Sequence, residues 1–154
     1  MDISTPHSVL VERAWQAQYA APRDSHAWAL EALAAAEAAG DAAVRAWAHL
    51  TIGYFELRYV GADEARRSLE VAQAGFLALA DPRGTILSRN GLARARMMDG
   101  DCKGALAMFR ANLEEDDGSL STLDRFYTLN GMAGCLAALG DSAQSLGYMF
   151  EALG

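Results

Sequence analysis

Apolar residues recur along this chain with the period of an α-helix. Leu129, Met132, Leu136 and Leu139 follow one another at spacings of three and four, which places them on one helical stripe. Strict alternation of apolar and polar positions, the mark of a half-buried strand, is absent throughout. The pattern predicts helices over residues 42–59, 83–98 and 122–139, each followed by a second helix over 62–79, 102–115 and 142–153. An earlier pair is expected over 7–20 and 25–39, with Pro22 and Asp24 marking its turn.

The boundaries carry matching punctuation. Thr5-Pro6 and Asp81-Pro82 each put a cap acceptor before a proline at the first helical position. Ser121 with Asp124 three residues on resembles a capping box. Gly100-Asp101 and Gly140-Asp141 combine a glycine that ends one helix with an aspartate that caps the next. Two pairs argue the other way: Asn90-Gly91 and Asn130-Gly131 lie between apolar runs, a strong hairpin signal.

The internal period decides between hairpin and helix. Written in rows of 40, the chain aligns without gaps from Gly40 onward. Ile52, Leu92 and Met132 share a column, each followed by a tiny residue: Gly53, Ala93 and Ala133. Ala65, Ala105 and Ser145 align, as do Leu69, Phe109 and Met149. Upstream, Ala29 and Ala32 fall under the Leu69 and Ala72 columns. The Asn-Gly pairs therefore sit inside helices. The expected fold is all-α: an α-α superhelix of about four antiparallel helix pairs, with repeats near 6–40, 41–80, 81–120 and 121–154.

With "NGLARARMMDGDCKGALAMFRANL" and "NGMAGCLAALGDSAQSLGYMFEAL" side by side, the chain resembles a tetratricopeptide repeat array. Each row has a large residue, Leu-Ala or its equivalent, Gly-Asp at the turn, then an aromatic or Met followed by Ala-Leu or its equivalent. The period of 40 exceeds the usual family period of about 34. Long-period arrays of this kind resemble the N-terminal regions of bacterial signalling proteins, among them diguanylate cyclases with a GGDEF domain. The resemblance implies a TPR-like solenoid that binds proteins or peptides on a concave groove lined by the first helix of each pair.

Charge narrows the partners. The formal net charge is −7, and no basic face suited to DNA or RNA is evident, so no nucleic-acid partner is expected. Only Lys103 among the 13 basic residues is a lysine; with the abundant alanine this fits a bacterial coding bias. No signal peptide or uninterrupted apolar span is present, so a cytoplasmic protein with no membrane partner is expected. Cys102 and Cys135 read as two free thiols.

Catalytic chemistry finds no support in the sequence. His7, His26 and His49 share no metal-ligand spacing, and His49 reads as a packed or partly exposed side chain. The acidic run from Glu114 to Gly118 lacks the alternating ligands of a calcium loop and reads as a solvated helix end. There is no phosphate loop and no nucleophile elbow. No enzyme, metal or cofactor is expected within these residues.

Carried over by register, the groove positions implied by the resemblance are Trp47, Leu50, Tyr54 and Arg58 in the second row. The third row adds Leu87, Asn90, Arg94, Met97 and Met98, and the fourth Tyr127 and Asn130. Aromatics supply area, Asn90 and Asn130 can hold a backbone amide, Arg58 and Arg94 can pair with a carboxylate, and the Met pair adds adaptable contact. The alternative for Trp47, Tyr54 and the Met pair is ordinary core between repeats, and for Asn90 and Arg94 plain exposure. No lysine occupies these columns, so the family's Lys-and-Asn carboxylate clamp is not reproduced.

The last helix carries Leu146, Met149, Phe150 and Leu153 with nothing after it to cover them. The chain is expected to be a fragment of a longer one, with a homodimer through this face as the alternative. The functional expectation is a non-enzymatic, regulatory protein-interaction module of a bacterial signalling protein. A sensor solenoid for a peptide or small molecule, or a freestanding oligomeric adaptor, is the alternative.

Overall fold

A computed structural model describes residues 2–154 as an array of eight helices. They are α1 Pro6–Ala17, α2 Pro22–Ala39, α3 Ala42–Tyr59, α4 Ala62–Ala78, α5 Pro82–Met98, α6 Cys102–Glu114, α7 Thr122–Ala138 and α8 Ser142–Leu153. Each helix packs on its sequence neighbours, and the odd-numbered helices also touch one another in succession. The result is an α-α solenoid of four pairs, with α1, α3, α5 and α7 forming the inner layer and the even helices the outer one. No helix is long and apolar enough to cross a membrane.

The helix starts repeat with the period read from the sequence: Pro22, Ala62, Cys102 and Ser142 are successive 40-residue steps, as are Ala42, Pro82 and Thr122. The caps explain why. The side chains of Asp41, Asp81, Asp101 and Asp141 each accept a backbone N–H from the first turn of the helix they precede. Ser121 and Asp124 complete a reciprocal capping box. Before the aspartates the chain turns left-handed, at Gly40, Gly100 and Gly140, and at Ala80, whose φ is +52°. The aspartate N–H then reaches back to a carbonyl in the last turn, Ala36 for Asp41 and Phe76 for Asp81, closing a Schellman-type end.

The first pair departs from expectation. Pro22 begins α2 instead of marking a turn, because its missing N–H costs nothing at the first helical position. Asp24 accordingly lies in the first turn of α2, and α1 ends at Ala17 rather than Ala20.

The Asn-Gly glycines are sites of close approach between helices. A Cβ on Gly91 would stand 2.7 Å from a Leu69 methyl, and one on Gly131 2.6 Å from the Phe109 ring. Leu69 and Phe109 occupy one repeat column and are fully buried, each burial worth about 1.5–3 kcal/mol. Several polar groups between the helices are paired. Asn90 donates to Thr128 Oγ1 at 2.7 Å and accepts from Asn112 at 2.8 Å. Ser25 and Ser145 donate to the Ala14 and Ala133 carbonyls of the preceding helices at 2.7 and 2.9 Å. On α8, Leu146, Met149, Phe150 and Leu153 are exposed.

Candidate functional site

The inner layer encloses a cavity of about 250 Å³ to which all four first helices contribute. From α1 and its C-terminal end come Glu12, Trp15, Gln16, Gln18 and Tyr19, and from α3 Tyr54. α5 supplies Arg83, Leu87, Asn90 and Arg94, and α7 Leu123, Asp124 and Tyr127, with its cap Ser121. A smaller cavity of about 130 Å³ adjoins it, with Leu57, Arg58 and Asn130 beside the shared Tyr19, Tyr54, Arg94 and Tyr127.

Tyr19 and Tyr127 line both spaces. Their rings stack at 4.6 Å with planes 19° apart, so the first and last helix pairs meet across the concave face. The stack is half-exposed; burial, then the neighbouring Tyr127, pushes the Tyr19 hydroxyl above its ordinary range. The back wall is aromatic, with Trp15 edge-on to Tyr54 at 5.4 Å and to Trp47 at 5.6 Å. The Tyr54 hydroxyl is buried and donates to the Leu87 carbonyl at 2.9 Å; burial drives its pKa upward.

The charged groups fall into two kinds. Arg83 and Asp124 form an ion pair at 2.9 Å, and the guanidinium also lies over Trp47. Arg58 and Arg94 donate only to main-chain carbonyls, of Gln18 at 3.0 Å and Tyr127 at 2.8 Å. Among the described residues neither has a carboxylate within ion-pair distance. Arg58 and Arg94 are thus two cations on the concave face without a carboxylate partner, in a chain of net charge −7. Ser121, the aliphatic hydroxyl in the wall, caps α7, and neither histidine nor cysteine lines the cavity.

The positions expected in the groove separate into three groups. Tyr54, Arg94 and Tyr127 line both spaces, Leu87 and Asn90 the larger, and Arg58 and Asn130 the smaller. Asn90 is 4% exposed and its amide is engaged with Thr128 and Asn112, so it is a core crosslink and not a free amide. Leu50, fully buried, and Trp47, 5% exposed against Trp15 and Phe76, belong to the core and are corrected out of the groove. Met97 packs into the second core cluster and Met98 lies exposed at the end of α5; neither reaches the cavities.

Elsewhere, His49 is half-buried, and desolvation followed by Arg45 lowers its pKa. In the acidic run, Glu115 pairs with Arg89 and Asp116 with Arg125. Asp116 also accepts the Gly118 and Leu120 N–H groups.

Arg83, Ser121, Leu123 and Asp124 lie outside the expected groove positions, and so do all the wall residues of the first pair, Glu12, Trp15, Gln16, Gln18 and Tyr19. The bond from Ser25 to Ala14 spans 11 residues, whereas its counterpart from Ser145 to Ala133 spans 12. The first pair is thus one residue shorter at its turn, and α1 is displaced by one in the register. With that slip restored, Ala14 joins Gly53, Ala93 and Ala133 in the tiny column, and Trp15 joins Tyr54 and Arg94 on the cavity wall. No family model, curated protein or solved structure matches the chain.

Proposed function

We propose that this chain is a non-enzymatic binding module whose concave cavity holds a short anionic segment, the end of a peptide partner. The observation that carries this is a cavity walled by Trp15, Tyr19, Tyr54 and Tyr127 beside Arg94, with Arg58 in the adjoining space, two guanidiniums that no carboxylate among the described residues neutralises. Aromatic walls supply contact area, and Arg94 offers a planar fork that matches a carboxylate. The Tyr19–Tyr127 stack crosses the groove, which favours a short ligand over a helix laid along it. The TPR-like repeat and the arginine-rich composition support a regulatory role in a bacterial signalling protein.

The test is affinity selection on N-acetylated tripeptides with free carboxylates, read by mass spectrometry. Wild type should retain a subset, and Arg94→Gln should reduce that retention about tenfold or more, the scale of one charge-assisted bond. A wild-type protein that retains none of them refutes the reading.

A further inference from the structure

We propose that the occupant of the concave cavity is dipolar: a free peptide of about three residues, its carboxylate at Arg94 and its terminal ammonium at Glu12. This rests on the binding role proposed above for the same cavity. The cavity carries opposite, uncompensated charges at separate places on its wall. Arg94 has only the Tyr127 carbonyl as partner. Glu12 accepts one bond from Gln16 at 2.8 Å, and among the described residues no cation lies within ion-pair distance of it. The remaining charged wall residues, Arg83 and Asp124, cancel each other.

Gln18 adds a third anchor. It lines the cavity, is 4% exposed, and gives its Nε2 to the Trp15 carbonyl at 3.1 Å. Its Oε1 is buried without a donor. A buried acceptor without a partner is unfavourable, and a ligand N–H adjacent to the carboxylate would satisfy it.

Length selects the ligand within this class. Gln18 lies six positions beyond Glu12, a rise of about 9 Å along a helix, and is followed by Tyr19, which lines both spaces together with Arg94. An extended peptide of three residues spans about 10 Å. A single amino acid falls short of that rise, and a dicarboxylate would set like charge against Glu12. Between the ends, Trp15 and Tyr54 form an apolar wall for the middle side chain.

The experiment offers the full chain a random tripeptide mixture in three forms: free at both ends, N-acetylated, and C-amidated. Retained peptide is counted by mass spectrometry. The free form should be retained about tenfold or more over either blocked form, as expected for losing one charge-assisted contact. Glu12→Gln should erase only the preference over acetylated peptides, and Arg94→Gln only that over amidated ones. Equal retention of free and acetylated peptides overturns the dipolar ligand and leaves the anion site standing. Equal retention of amidated peptides, or no retention of any form, overturns both. The arms on the unmutated chain decide the matter even where a variant fails to fold.

Discussion

Asp41 serves two partners from one carboxylate. One oxygen accepts the Val44 N–H at the start of α3, and the other meets His7 Nε2 of α1, both at 3.0 Å. The Val44 N–H is the largest influence and holds this carboxyl below its ordinary range; burial, next in size, opposes it, and the bond and charge of His7 add to the lowering. A lowered folded-state pKa means stability that is present above the ordinary carboxylate pKa and lost as pH falls through the lower folded value. Asp41→Ala should therefore cost about 1 kcal/mol at neutral pH, the usual worth of a cap, in urea denaturation. The gap to wild type should narrow once the pH drops below about 4. A gap of constant size would show that the carboxylate charge contributes nothing. Single residues were only partly legible from sequence: the cap aspartates announce themselves by type and position, but Asn90 does not reveal whether it faces solvent or core. That depends on Thr128 and Asn112, which lie 38 and 22 residues away and arrive only with packing.

Helices in this array are separated by the size of one side chain per crossing, and glycines report it. A Cβ on Gly84 would lie 2.2 Å from the buried Phe76 ring. Gly84→Ala should therefore destabilise by about 1–3 kcal/mol through overpacking, despite alanine's better helix propensity. Gly147, inside α8, has nothing within 4 Å of a built Cβ, so Gly147→Ala should stabilise by up to about 1 kcal/mol. Thermal melts of the two variants shifting in the same direction would contradict this assignment of contacts. Seven of the eight helix starts follow the 40-residue rows, since caps and apolar stripes are local signals. The exception is α1, where a turn shorter by one residue rotates the wall residues out of register, and no local signal records that deletion.

Four helix pairs curve far enough for the first to touch the last. The Tyr19–Tyr127 stack is the contact that closes the concave face, and an aromatic pair of this kind is worth about 0.5–1.5 kcal/mol. Tyr19→Ala should lower global stability by that amount, raise amide exchange in α1, and enlarge the radius of gyration in small-angle scattering. Unchanged exchange in α1 would mean that the stack does not hold the two ends together. The sequence by itself determined the helices, their caps, their pairing and their period, because hydrophobic stripes and cap chemistry act over a few residues. Only the tertiary structure decided which inner-layer residues line a cavity and which are core, and that Trp15 and Gln18 share the wall with Arg94. Curvature accumulates from every interface along the array, so the meeting of Tyr19 with Tyr127 belongs to the whole molecule and to no segment of it.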